Sequence, residues 1–234
     1  MFKIEDIINR VHNADCLEFM KQMKDKSVDL VLTDPPYGID FQSARPTENK
    51  RKDKIINDKL SDFVSIIDPF FIEVKRILKD GGCCCCCCCG GGGTPSLAHL
   101  WLKAGDCLKV ENVLIWDKGF VGMGWRYRFQ WEAILVATKG ERKTWNGGNN
   151  KSNILKFQKI IPQQGDHPTP KPIDLMKQLI LDNSNENDLI LDPFLGSGTT
   201  AVAAKQLKRN FIGIEISPDY CKIANDRLRQ EMLF

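Results

Sequence analysis

Apolar residues along this chain form two patterns: short unbroken runs, and longer stretches in which they recur every three or four positions. Val28-Asp29-Leu30-Val31-Leu32-Thr33 is β-branched and apolar enough for a buried strand, and Pro35 and Pro36 end its ladder by removing two amide donors and fixing φ. Residues 188–192 (Asp-Leu-Ile-Leu-Asp) and 211–215 (Phe-Ile-Gly-Ile-Glu) predict two further strands, with a helix between them marked by Ala201, Val202, Ala204 and Leu207. Phe63, Ile66, Ile67, Phe70, Val74, Ile77 and Leu78 keep helical spacing over residues 62–78, where Pro69 predicts a break or kink. Pro170-Lys171-Pro172 starts another helix, with Ile173, Met176, Leu179 and Ile180 on one stripe. Residues 112–118 and 132–138 read as two strands joined by a glycine and aromatic loop. Strands alternating with helices over 234 residues predict one α/β domain, spanning 1–234, with a substantial core.

One strand position is written unusually. After the 62–78 helix and Lys79-Asp80-Gly81-Gly82 another buried strand is due, and the chain supplies seven consecutive cysteines, from Cys83 to Cys89, followed by four glycines. Consecutive strand residues point to opposite faces, so the run does not imitate a zinc site, and no metal is expected. A disulfide framework does not suit the cytoplasmic location expected from the lack of a signal peptide or membrane-length apolar stretch. Two readings stay open: a low-complexity artefact of a repeat or a sequence error, or small buried hydrophobes that complete the sheet poorly. The net charge of +3 is too mild to advertise nucleic acid. A local cluster at Lys50-Arg51-Lys52-Asp53-Lys54 could meet phosphates, and a solvated loop explains it equally well.

The candidate chemistry begins at Asp34-Pro35-Pro36-Tyr37. An acidic acceptor, a rigid backbone and an aromatic face meet at a strand's carboxyl end, the edge where open α/β sheets bind ligands. That set suits a planar amine such as a nucleobase amino group, a poor nucleophile until strong acceptors hold its hydrogens. Asp34 and the Pro35 carbonyl would be those acceptors. Tyr37 would stack on an extruded base, recovering roughly 1–3 kcal/mol of lost stacking. Far along the chain, Asp192-Pro193-Phe194-Leu195-Gly196-Ser197-Gly198-Thr199-Thr200 joins a strand to a helix through a glycine turn that matches neither the dinucleotide fingerprint nor a phosphate loop. Glu215 ends the next strand, where a nucleoside-binding unit places its ribose acceptor.

With His-Pro-Thr-Pro-Lys-Pro at residues 167–172 and Phe-Ile-Gly-Ile-Glu-Ile-Ser-Pro-Asp-Tyr at 211–220, these motifs resemble the β-class, circularly permuted amino DNA methyltransferases. In that arrangement the catalytic motif precedes the cofactor half. The resemblance implies a Rossmann-like fold: a mostly parallel twisted sheet, helices on both faces and an antiparallel hairpin strand. It further implies a catalytic half at about 11–140, a short target-recognition insertion at about 140–164 and a cofactor half at about 165–234. By the same likeness, Asp15, with Cys16 beside it, and Phe194 would meet the adenine of S-adenosyl-L-methionine, and Glu215 its ribose. Asp192, Pro193 and the turn Gly196, Ser197, Gly198, Thr199 and Thr200 would face its methionyl end, and His167, Thr169 or Lys171 would hold its carboxylate. Asp34, Pro35, Pro36 and Tyr37 would be the catalytic set, and double-stranded DNA the substrate. A second subunit and a cognate restriction endonuclease are expected partners, with residues 39–59 sharing target recognition. Asp at position 34 favours adenine N6; cytosine N4, RNA, or a catalytically inactive DNA-binding relative are the alternatives.

Overall fold

The computed structural model describes residues 1–36, 60–88, 95–121, 126, 128–159 and 171–230. Tyr37, His167, Thr169, the basic cluster at 50–54 and the loop 39–59 lie outside the described residues. Eight strands form one sheet among those described: β1 (Arg10–Asn13), β2 (Val28–Thr33), β3 (Leu78–Cys88), β4 (Lys109–Asp117), β5 (Trp131–Thr138), β6 (Ile154–Lys156), β7 (Leu189–Asp192) and β8 (Asn210–Glu215). Their order is β1-β8-β7-β2-β3-β5-β4-β6. β5 runs antiparallel to β3 and β4, and every other pairing is parallel. The expected hairpin is therefore present, and the mostly parallel sheet explains why its central strands are apolar on both faces.

Helices α2 (Cys16–Lys21), α3 (Leu60–Ile77) and α4 (Pro95–Cys107) cover one face, where Met20, Phe63, Phe70 and Val74 pack with Val31, Leu135 and Ile212. Helices α5 (Ile173–Asn183), α6 (Thr199–Gln206) and α7 (Pro218–Gln230) cover the other, where Leu179, Ala203 and Leu228 pack with Leu32, Ile134 and Ile190. α1 (Ile4–Ile7) precedes β1. The break expected at Pro69 does not occur, because α3 continues through it. Proline costs a helix interior about 3 kcal/mol, and fully buried Phe63, Ile67, Phe70, Phe71 and Val74 flank it on both sides, so tertiary packing outweighs the local penalty. No helix among the described residues is long and apolar enough to cross a membrane.

The cysteines build a central strand. Cys83 to Cys86 pair with Leu30 to Thr33 of β2, and Cys83 to Cys88 pair with β5. Cys83, Cys85 and Cys87 face the α5–α7 core while Cys84 and Cys86 face the α2–α4 core. All five are at most 2% exposed, so the run takes the strand position as small buried hydrophobes. Pairing jumps from Val28↔Leu78 to Leu30↔Cys83, so residues 79–82 leave the β2 ladder. Gly81, at φ 84°, instead donates to the Lys139 carbonyl at 2.8 Å, and Lys139 donates back to Gly82 at 3.0 Å.

Two expected boundaries look different in space. β1 pairs with β8, so the N-terminal strand lies beside the expected cofactor half rather than with β2, which follows it in the chain. β5 ends at Thr138 opposite Lys109, the first residue of β4, and Cys83, where β3 begins to pair with β5, so the chain enters residues 140–153 at the sheet edge opposite Asp34. There Arg142 pairs with Glu111, and Lys151 with buried Asp182. Only at β6 does it run back beside Ile115 to Asp117, so the first part of the expected target-recognition insertion packs away from the catalytic edge.

Candidate active site

β2 and β7 are neighbours, with Leu30 opposite Ile190 and Val31 opposite Leu191. From this pair the chain winds outward in opposite directions, to β3 on one side and β8 on the other, so a crevice opens at the carboxyl ends. Thr33 and Asp192 meet in it. Buried Thr33 donates from Oγ1 to Asp192 Oδ1 at 2.8 Å, and the Phe194 amide donates to the same oxygen at 3.1 Å. Burial pushes the Asp192 pKa up to about 6, against hydrogen bonds that favour its charge.

That raised value makes a stability prediction. The folded chain holds the Asp192 proton more tightly than the unfolded chain, whose ordinary value is 3.8, so stability is lost as pH rises from there to about 6. Asp192→Asn keeps an acceptor for Thr33 and removes the buried charge. Its Tm is expected to exceed that of the parent at pH 7, by an amount equivalent to roughly 3 kcal/mol, and to converge with it near pH 4. A thermal-melt series from pH 4 to 7 checks this, and parallel curves for the two proteins would refute it.

Beyond Asp192 the turn uses left-handed backbone at Gly196 (φ 55°) and Gly198 (φ 89°), and Gly198 caps α6. Glu215 grips the turn from β8: Oε2 accepts from the Gly196 amide and Oε1 from the Ser217 amide, both at 2.8 Å. Burial raises the Glu215 pKa. Asn13, opposite Glu215 in the β1–β8 pair, donates to the Glu215 and Ile216 carbonyls and brings Asp15 to this edge. Asp15 caps α2 through Oδ1, which accepts from Leu17 at 2.9 Å and Glu18 at 3.0 Å. The Cys16 thiol is buried, and that burial together with the Asp15 charge pushes its pKa to about 12, which makes it a packing group. Pro193 is buried, and the Phe194 ring lies 5.6 Å from that of Phe70 on the α3 side.

Asp34 follows Thr33 directly, and its Oδ2 accepts from Lys171 Nζ at 2.5 Å. Lys171 comes from the segment before α5, is 8% exposed and also lies 3.4 Å from Glu132 Oε2. Glu132 belongs to β5, and its other oxygen is 3.3 Å from Lys118 Nζ. Burial disfavours the charge on Lys171, yet Asp34 and Glu132 outweigh it and hold its pKa above that of a free lysine. Burial likewise opposes the Glu132 charge, and the two lysines keep its pKa below the usual carboxylate value.

Asp34, Pro35, Pro36, Lys171, Asp192, the 196–200 turn, Glu215 and Asp15 thus gather along one edge of the sheet. Sequence reading missed Glu132, Lys118 and Arg227. Arg227 of α7 donates to the Ser197 carbonyl at 2.8 Å and to the Ser197 and Thr199 hydroxyls at 3.2 Å, bracing the turn from a helix that no local motif connects to it. The alternation in residues 131–138 identifies a strand but does not mark Glu132 as a partner of residue 171.

A doubly wound sheet with a glycine turn and an Asp-Pro-Pro loop on adjacent strand ends is the layout of an α/β enzyme that sets a nucleoside-bearing cofactor against an amine. The chain belongs to the N6/N4 methyltransferase family of DNA methylases, which it matches over residues 28–226, and it is a DNA methyltransferase. It is 31% identical over 225 residues to the type II methyltransferase M.HhaII of Haemophilus parahaemolyticus, covering 92% of this chain and 96% of that one. With M.HinfI of Haemophilus influenzae the identity is 30%, over 97% of this chain and 70% of that one. The crystal structure of the M1.HpyAVI–SAM complex superposes with a TM-score of 0.70 at 27% identity, over 94% of this chain and 98% of that one. The cytosine-N4-specific PvuII DNA methyltransferase shares the fold alone, at TM-score 0.73 and 18% identity, over 93% and 85% of the two chains.

Proposed function

We propose that this chain transfers the methyl group of S-adenosylmethionine to N6 of adenine in double-stranded DNA, at a specific site and on a base turned out of the duplex. The adjacency of Asp34 and Asp192 on neighbouring strand ends, bridged by Thr33, carries this reading, because it sets the amine acceptor beside the cofactor turn. The residues suit such a cofactor: buried Asp192 and half-buried Glu215 are acceptors for cationic and hydroxyl groups, and the Gly196 to Thr200 turn offers close backbone approach.

S-adenosylmethionine supplies an activated methyl group on a positively charged sulfur. Asp34 and the Pro35 carbonyl hold the amino hydrogens and direct the nitrogen lone pair toward that methyl group. As the N–C bond forms and the C–S bond breaks, positive charge grows on the nitrogen, and Asp34 stabilises it and receives the released proton. Tyr37 provides the stacking face. Glu215 takes the ribose hydroxyls and Asp15 the adenine, while Thr169 and His167 serve the carboxylate end and Lys171, seated on Asp34, does not. Orientation supplies most of the rate enhancement. The type II relatives support a cognate restriction endonuclease, and a second subunit would extend the short target-recognition segment.

Nucleoside mass spectrometry of unmethylated plasmid, incubated with the protein and S-adenosylmethionine, is expected to find N6-methyladenine. N4-methylcytosine instead would move the target to cytosine, and no methylated nucleoside despite cofactor binding would overturn DNA methylation by this chain.

A further inference from the structure

The charges around Asp34 form a line that alternates in sign: Asp34, Lys171, Glu132 and Lys118, with separations of 2.5, 3.4 and 3.3 Å. Lys171 has two carboxylates within reach and is hydrogen-bonded to only one of them. Glu132 Oε2 is buried and has no hydrogen-bond partner, since the Lys171 ammonium 3.4 Å away is directed at Asp34 instead. Buried carboxylate oxygens are normally satisfied, so an orphan 3.4 Å from a cation is a second seat within that cation's reach. The two seats differ in setting. The Asp34 side chain is 26% exposed, at the open edge, and that of Glu132 is 16% exposed, behind Lys171 and next to the buried Trp116 ring, whose centroid is 6.0 Å from Lys171 Nζ.

A lysine seated on Asp34 works against the proposed chemistry. It opposes the positive charge that grows on the amino nitrogen, and it lowers the affinity of Asp34 for the proton released. We propose that Lys171 is a two-position latch: its ammonium neutralises Asp34 in the free enzyme and shifts onto Glu132 Oε2 when cofactor and base arrive, which makes Glu132 a positioning residue. The inference rests on the amino-methyltransferase reading above. The shift needs only roughly 1 Å of ammonium travel to turn a 3.4 Å contact into a hydrogen bond. Two arrivals drive it inward: the cationic sulfur repels Lys171, and the amino hydrogens of the base compete for Asp34.

The test measures kcat at saturating cofactor and DNA for the parent, Glu132→Gln, Lys171→Met and the double variant. Glu132→Gln weakens the inner seat and leaves Lys171 on Asp34, so kcat is expected to fall at least about ten-fold while both KM values stay within about three-fold. Adding Lys171→Met to Glu132→Gln frees Asp34 and is expected to restore part of the lost kcat, which a merely structural role for Glu132 would not do. Unchanged kcat in Glu132→Gln, or a double variant no faster than it, overturns the latch. A parent that methylates no amino group is a separate result, against the functional reading itself. Should Glu132→Gln not fold, the parent crystallised with S-adenosylhomocysteine and cognate DNA decides: Lys171 Nζ hydrogen-bonded to Glu132 supports the latch, and Lys171 still on Asp34 overturns it.

Discussion

Asp34→Ala is expected to lower methyl transfer by roughly 10²- to 10⁴-fold while leaving cofactor binding near that of the parent protein. The carboxylate is asked to hold the amino hydrogens, to stabilise the developing charge and to take the proton, and no neighbour among the described residues duplicates its position on the crevice. The fold should survive the change. Lys171 loses one carboxylate but keeps Glu132 at 3.4 Å, so it is not left as an unpaired buried cation. Asp192, Glu215 and the 196–200 turn lie on β7 and β8 and do not depend on Asp34 for their backbone hydrogen bonds. Calorimetric titration with S-adenosylmethionine, beside single-turnover transfer of labelled methyl groups to DNA, separates the two effects. Transfer within a few-fold of the parent would remove Asp34 from catalysis.

Gly198→Ala is expected to act in the opposite way, on fold and cofactor together. At φ 89° an L side chain is strained by about 1–2 kcal/mol. The added Cβ would stand 2.8 Å from Ala224 Cβ and 3.0 Å from Ala224 Cα. Ala224 sits in the middle of α7 and is fully buried, so the neighbour cannot give way without moving the helix that also carries Arg227. Such overpacking typically costs a further 1–3 kcal/mol or so. The turn would shift or open, with a fall in Tm of several degrees and loss of cofactor affinity. A variant with parental Tm and affinity would show that α7 is not the rigid backing described here.

Much of this architecture was legible in the chain because its signals are local. The run at residues 28–33 with two prolines after it, the Asp192 to Thr200 turn and Glu215 each announce a strand end, and the structure puts all three at one edge. The helical stripe at residues 173–180 likewise became α5. Partnerships across long separations were hidden. Lys171 and Asp34 are 137 positions apart, and no periodicity in either segment encodes their pairing. Asp15 falls early in the chain, yet β1 carries it to β8. At Pro69 the local signal for a break was overridden by contacts from elsewhere in the chain: α3 packs on the sheet on both sides of the proline and continues through it.

The cysteine strand has a consequence for how the sheet finds its alignment. In most strands a slip of one residue exposes the apolar set and buries the polar one, so side chains enforce their own register. Between Cys83 and Cys88 every position offers the same side chain to both faces, and sliding along β2 or β5 changes nothing on β3 itself. The alignment must be imposed from outside the run, by Leu78 opposite Val28 before it and by the Gly81 and Gly82 bonds with Lys139. Residues 78–82 therefore act as the ruler against which the middle of this sheet is set, and a change there would misalign the strand next to β2, which leads directly into Asp34.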